Sequence, residues 1–541
     1  MPVPSYAAGP VDVPLLEETI GATLRRTAAE HADAEALVDL ISGARWTWSQ
    51  LDAAVDDLAR ALLDAGLRQG DRLGVWAPSS ADWTLTQFAT ARVGVVLVTI
   101  NPAYRTSELQ FVLQQSGCRW LVAAPSFKTS DYRAMVEQVR GACPALERVV
   151  FFGDDDWQAL LAGGSAPLDV ALQPTDPINI QYTSGTTGFP KGATLSHRNI
   201  INNGYFVGRT CRYTVADRIC IPVPFYHCFG MVMGNLAAVT SGATMVIPAA
   251  AFDPAATLRA VQDERCTSLY GVPTMFIAEL GCEGFTDYDL SSLRTGIMAG
   301  SPCPVEVMKR VVAEMHMEQV TICYGMTETS PVSTQSRVED DLERRVSTVG
   351  TVHPHVEVQV VDPETGVVVE RGQAGELCTR GYSVMLGYWE EPAKTAEAID
   401  TDGWMHTGDL AVMDDAGYLN VVGRIKDLVI RGGENVYPRE VEEFLHGHPA
   451  IEDVQVVGVP DPRYVEELCA WVRLTPGATL TQEELRAYCQ GRLAHYKIPR
   501  YLLITDEFPM TVTGRSRSSR CATTASSGSA LRHPRRRPSR T

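Results

Sequence analysis

Paired cysteines and metal-ligand spacings are missing from this sequence. Its 13 Cys are scattered with no CxxC pair and no Cys/His cluster of zinc type. That argues against a disulfide scaffold or a zinc module and for a chain kept reduced. Long hydrophobic runs are missing too: none approaches the roughly 18 residues needed to span a bilayer. The opening MPVPSYAAGPVDVP has neither a basic start nor an apolar stretch of signal length. A cytoplasmic protein with no integral membrane segment is therefore expected. Positive charge is in deficit, with a formal net charge of -18. This excludes a general nucleic-acid binder, because phosphate backbones are gripped by clustered Lys and Arg. The exception is the end of the chain, where the 27 residues from Arg515 hold eight Arg and no acid, a basic appendage on an acidic body.

What is present is enough for more than one core: 541 residues, 45% hydrophobic. TWSQLDAAVDDLARALLDAGL has helical spacing in Leu51, Val55, Leu58, Leu62 and Leu63, with Thr47 and Ser49 as caps at its start. RLGVWA, VGVVLVTI, RWLVAA, RVVFFG, ATMVIPA and SLYGV are short and apolar throughout. Separated by helical stretches, they predict parallel strands covered on both faces, and so an α/β fold.

Three stretches carry chemistry. In YTSGTTGFPKGATLSH, Tyr182 to His197, Gly185, Gly188 and Gly192 open the backbone, while Thr183, Ser184, Thr186 and Thr187 add hydroxyls and Lys191 a fixed charge. The set suits a polyphosphate, although the Gly-to-Lys spacing is not that of GxxxxGK[ST]. The bland alternative is a Ser/Thr/Gly surface loop. In CYGMTETS, Tyr324 suits stacking on a base, Thr327 suits donation to a phosphate, and Glu328 suits Mg²⁺ beside phosphate oxygens. In GWMHTGDLAVMDDAGYLNVVGRIKDLVIRGGENVYPREVEEFL, Asp409 suits both hydroxyls of a ribose, with Arg424 in reach; on TGD alone, Asp409 reads first as a turn or cap residue.

In order, YTSGTTGFPKG, YGMTE, GYWEEPAKTAEAIDTDGWMHTGD, GRIKDLVIRGGENVYPREVE and PMTVTG closely resemble the adenylate-forming (AMP-binding) superfamily of acyl-CoA synthetases, luciferases and peptide-synthetase adenylation domains. The resemblance runs from about Thr47 to Gly514. It implies two steps: a carboxylate attacks the α-phosphate of ATP with Mg²⁺, releasing pyrophosphate, and a thiol, normally that of coenzyme A, then displaces AMP. By the same resemblance the loop from Thr183 to Lys191, including Ser184, Gly185, Thr186, Thr187 and Gly188, holds the β- and γ-phosphates. Glu328 binds Mg²⁺, Thr327 contacts the α-phosphate, and Asp409 and Arg424 hold the ribose. Tyr324, with Gly325 and Met326 beside it, packs the adenine together with Ala299, Gly300, Ser301 and Pro302.

The resemblance further implies a large domain over residues 1–424, a small mobile α+β domain over 425–514 after a hinge at Lys426, and a disordered Arg/Ser-rich tail over 515–541. Gly432 and Gly433 match a segment that lines the pantetheine tunnel. PFYHCFGMVMGNL with YGVPTMFIAEL and GIMAGSP resembles fatty acyl-CoA synthetases of the medium-chain type. His227 stands where family members gate the acyl pocket, its bland reading being a satisfied core histidine. Val232, Met233, Phe276 and Met298 suit an acyl tunnel, or merely a core. The implied partners are fatty acid, ATP and CoA, with no nucleic acid; oligomeric state, a homodimer included, is left open.

Two departures from the family pattern stand out. The lysine expected directly after PMTVTG is Arg515, and a planar guanidinium does not simply replace a compact ammonium between two reacting anions. Beyond it the family pattern is lost in a way that resembles a reading-frame change, with a basic arm as the other reading. Three readings follow: a medium- or long-chain acyl-CoA synthetase with impaired adenylation, a ligase for another carboxylic acid, or a non-catalytic nucleotide or acyl-adenylate binding protein.

Overall fold

A computed structural model describes residues 3–183, 190–301, 303–431, 434–461, 464–506 and 508. The apolar runs become inner strands. Arg72–Trp76, Val96–Thr99, Trp120–Ala123 and Arg148–Phe151 pair in parallel within a seven-stranded sheet. Thr244–Ile247 and Ser268–Gly271 lie in a nine-stranded sheet, each parallel to Arg218–Cys220, and Thr295–Ala299 and Gln319–Gly325 continue it in parallel. Val96–Thr99, Trp120–Ala123 and Thr244–Ile247 are buried at every position, so both faces need apolar side chains and polar alternation disappears.

Helix Trp48–Asp64 starts at Thr47, one of the two caps its sequence offered, while Ser49 lies within its first turn. Thr47 Oγ1 accepts from the Gln50 N–H at 3.3 Å and Gln50 Oε1 accepts from the Thr47 N–H at 2.9 Å, a reciprocal capping box. Leu51, Val55, Leu58 and Leu62 line its buried stripe. Helix Ala81–Val93 has no polar stripe: apart from Asp82 and Arg92 it is buried throughout. The guanidinium of Arg92 is paired with Asp52 and Asp56 of the preceding helix.

A third sheet is antiparallel, in the order Tyr6–Ala8, Val356–Val361, Ala374–Gly381, Met405–Met413, Leu419–Arg424. After the single turn Ile425–Asp427 the chain forms a small C-terminal domain with its own sheet, led by the hairpin of Ile451–Asp461 and Val465–Leu474. Val441, Leu445, Val454, Leu468 and Leu485 form its separate core. The fold is thus the expected one, a large N-terminal domain of mixed sheets and helices with a small α+β domain after it. Among the described residues no helix is long and apolar enough to cross a membrane.

One buried carboxyl lies outside any site. Glu279, in helix Pro273–Leu280, is 1% exposed, and neither oxygen has a hydrogen-bond partner among the described residues. Burial drives its pKa well above the usual 4.5, so it is carried as the neutral acid. Its cost to stability is least below the unfolded pKa, where both states hold the proton, and grows as pH rises from there towards the folded one. Glu279→Leu is expected to stabilise by about 1–3 kcal/mol, the cost of a buried unsatisfied polar group. The gain should be larger at pH 8 than at pH 5 in apparent melting temperature. An equal or lower melting temperature at both pH values would contradict it.

Candidate active site

Two sheets present their strand ends to one another. Thr183 closes strand Pro177–Thr183 and faces Lys191, its register partner and the first residue of the antiparallel return strand Lys191–Ser196. In the neighbouring sheet Ala299 ends its strand opposite Cys323, with Tyr324 one residue beyond. Carboxyl ends of parallel strands, where the loops leave the sheet, are where α/β proteins gather ligands. Gly300 has φ of 90°, a conformation favouring glycine. At Gly325 a Cβ would stand 1.7 Å from the Pro331 carbonyl oxygen, so the turn into Met326 closes only on glycine.

That turn delivers Glu328. It is buried at 5% exposure, and its Oε1 accepts from the Tyr388 hydroxyl at 2.8 Å and, more weakly, from Thr183 Oγ1 at 3.5 Å. The Lys191 ammonium lies over the Tyr388 ring, 4.7 Å from its centroid. Residues 382–389 stitch these parts together. Met385 N–H donates to the Glu328 carbonyl at 2.9 Å, Leu386 N–H to Thr194, and Trp389 N–H to Gly192 at 2.7 Å. Burial, and next the Glu328 charge, push the Tyr388 pKa up, so its hydroxyl stays a donor.

A second chain of contacts lies beside it. The Tyr324 hydroxyl donates to Asp409 Oδ2 at 2.8 Å, and Arg424 Nε donates to Asp409 Oδ1 at 2.9 Å. Asp409 and Arg424 are cross-strand partners of Met405–Met413 and Leu419–Arg424, which fixes their pairing. Burial first and Asp409 second raise the Tyr324 pKa well above 10.

Thr327 is buried beside Glu328. His227 is half-buried just before a π-helix, Phe229–Leu236, and its Nδ1 accepts from the Phe229 N–H at 3.2 Å. Val232, Met233, Phe276 and Met298 are all buried, the first two in one apolar core and the last two in another. Met326 and Ser301 are half-buried near the same strand ends, and Lys426 sits in the turn Ile425–Asp427. Ser184, Gly185, Thr186, Thr187, Gly188, Pro302, Gly432, Gly433 and Arg515 lie outside the described residues.

Sequence reasoning missed Tyr388, which lies inside the quoted GYW stretch but 60 residues from Glu328. It also missed Gln181, whose Oε1 accepts from the Cys228 thiol at 2.9 Å and whose Nε2 reaches Met231 Sδ. A hard cation such as Mg²⁺ fits the cluster, since Glu328 is a carboxylate flanked by the hydroxyls of Thr183 and Tyr388. Glu328 would hold it, and its charge would offset that of phosphate oxygens.

Residues 24–389 match the family model "AMP-binding enzyme", and residues 440–515 match "AMP-binding enzyme C-terminal domain". The chain is 47% identical over 527 residues to YngI of Bacillus subtilis, named as an acyl-CoA synthetase, covering 93% of this chain and 96% of that protein. It is 45% identical over 541 residues to the mitochondrial medium-chain acyl-CoA ligase ACSF2 of Danio rerio, covering 94% and 89%. The crystal structure of ATP-bound MatB from Rhodopseudomonas palustris superposes with a TM-score of 0.85 at 29% identity, over 94% of this chain and 99% of that one.

Proposed function

The chain belongs to the AMP-binding family of adenylate-forming enzymes, as an AMP-forming acid–CoA ligase, and from that premise we propose that its acid is a medium- or long-chain fatty acid. ATP and CoA are the family's other substrates. The ligase part of the reading is carried by one observation above all: Tyr388 joins Glu328, which Thr183 also reaches, to the Lys191 ammonium.

In this reading, Lys191 and the hydroxyl of Thr183 bind the outer phosphates. Thr327 contacts the α-phosphate and Glu328 holds Mg²⁺. Tyr324 packs the adenine, while Asp409 and Arg424 accept and orient the ribose. Such groups act by positioning and by matching charge that develops during transfer. Charge-assisted hydrogen bonds of this kind contribute about 1.5–3 kcal/mol each, so Asp409→Asn is expected to raise KM for ATP about tenfold to hundredfold. Tyr324→Phe, which removes only a donor to Asp409, is expected to raise it less; a larger effect from Tyr324→Phe would reverse the assignment.

The division at residues 424 and 425, with Lys426 as hinge, is part of the proposal. It is supported by the end of one sheet at Arg424 and the start of the next at Val429. The twelve described cysteines are all free, which supports a reducing, cytoplasmic setting. Chain length is supported by the relative named as a medium-chain ligase. It is tested in the second half-reaction, which bypasses Arg515: thioester formation from supplied acyl-AMPs and CoA, from butanoyl to palmitoyl and including a benzoyl and a malonyl member. The rate should peak among the medium and long straight chains. A peak at benzoyl or malonyl would overturn the assignment.

A further inference from the structure

Away from the phosphate-facing cluster, the antiparallel sheet gathers a second set of reactive side chains. Strand Ala374–Gly381 carries Glu376 and Cys378, and between them its pairing with Met405–Met413 shifts register, from Glu376 against Leu410 to Cys378 against His406. His406, on Met405–Met413, is the direct cross-strand partner of Cys378. Its Nδ1 lies 2.9 Å from Glu376 Oε2 and 3.5 Å from Cys378 Sγ, and one donor atom from each residue falls within 4.8 Å of the others. Cys378 is fully buried against Val361 and Trp404, whereas the His406 side chain is 35% exposed and leaves an approach from solvent.

We propose that Glu376, Cys378 and His406 form a three-ligand site for a thiophilic divalent cation, Zn²⁺ by its chemistry, with water in the fourth position. The donor set is one thiolate, one imidazole and one carboxylate, which is the range zinc accepts. Metal-ligand bonds of about 2.0–2.3 Å at a tetrahedral angle hold ligand atoms roughly 3.3–3.6 Å apart. The sulfur and Nδ1 already stand at that separation. The shorter Glu376 contact is that of a pair bridged by a proton, and it opens by a few tenths of an ångström when the cation takes the proton's place. The thiol also gives up its proton to solvent, so the bound sulfur is a thiolate.

The surroundings have the form of a metal site's outer layer. The far ring nitrogen of His406, Nε2, faces Asp400 Oδ2 at 3.7 Å. Asp400 Oδ1 is itself held by the N–H groups of Asp402 and Trp404, each at 2.9 Å. A carboxylate behind a ligating imidazole fixes the ring and selects which nitrogen faces the metal. Glu376 Oε1 is likewise occupied, accepting from the Gly408 N–H at 3.0 Å, so Oε2 is the oxygen left for the cation. Bound metal would therefore clip strand 374–381 to the irregular start of strand Met405–Met413, which leads into Asp409.

The competing reading is a hydrogen-bonded Glu–His pair that only aligns two strands, and a cobalt titration separates the two. Co²⁺ alone is added to the full chain carrying Cys521→Ser, which removes a thiol outside the described residues. One equivalent should bind with a sulfur-to-cobalt charge-transfer band and be displaced by Zn²⁺. In Cys378→Ser the band should vanish. In His406→Gln and Asp400→Asn the affinity should fall about 10–100-fold. As a check on folding, Zn²⁺ should raise the melting temperature of the parent chain and leave that of His406→Gln unchanged. Absence of a sulfur band in the parent, or a band and affinity unaltered by Cys378→Ser, would overturn the proposal.

Discussion

Arg515→Lys is expected to raise fatty-acid-dependent ATP–pyrophosphate exchange by about 10²–10³-fold, the range over which one group placed at a developing charge acts. Thioester formation from supplied acyl-AMP and CoA should change by less than about twofold, roughly 0.4 kcal/mol. The family pattern puts a lysine directly after Pro-Met-Thr-Val-Thr-Gly, between the attacking carboxylate and the α-phosphate, where this chain has Arg515. Both side chains carry one positive charge, so the difference is one of shape. An ammonium is a compact point that two anions approach from opposite sides, whereas a guanidinium is a broad fork suited to bidentate contact on one edge. A group that bridges the attacking carboxylate and the α-phosphate serves adenylation alone, which is why the two half-reactions should respond differently. Equal exchange by the parent chain and the lysine variant would show that the guanidinium serves as well. Equal gains in both half-reactions would show that the substitution acts through folding.

The inner strands were legible because two-sided burial writes a distinctive sequence: Val96–Thr99 and Trp120–Ala123 have no polar alternation to confuse with a surface strand. Helix Trp48–Asp64 was legible in its buried stripe and in Thr47 as its cap, whereas Ser49 proved to lie inside the helix and the reciprocal partner is Gln50. The π-helix Phe229–Leu236 was not, because eight consecutive buried residues show no period at all. Glu328 could be singled out as a carboxylate in a motif, but its partner Tyr388 comes near only because residues 382–389 cross from one sheet to the other. Val232, Met233, Phe276 and Met298 show the same limit: apolar residues identify a core, while their division between two cores depends on the tertiary fold. Glu376, Cys378 and His406 carry no spacing signature, since cross-strand register unites two of them with a residue 28 to 30 positions away.

The other large effect is expected at Glu328. Glu328→Gln keeps the shape and an acceptor for the Tyr388 hydroxyl but removes the charge that a hard cation needs. Exchange should fall about 10²–10³-fold and should recover in part at raised Mg²⁺ concentration. Tyr388→Phe leaves the carboxylate charged and removes one of its two described bonds, so a loss of about tenfold is expected, of the size of one hydrogen bond to a charged group. Tyr388 then acts as a positioning residue, through Glu328 and through the face it offers to the Lys191 ammonium. Because the two substitutions disturb one unit, their effects should not add: the double variant should be little worse than Glu328→Gln alone. Losses that multiply in the double variant would separate the two residues. Tyr388 would then contribute mainly through Lys191 and the outer phosphates, and Tyr388→Leu, which removes the ring under that ammonium, should raise KM for ATP with the Mg²⁺ dependence unchanged.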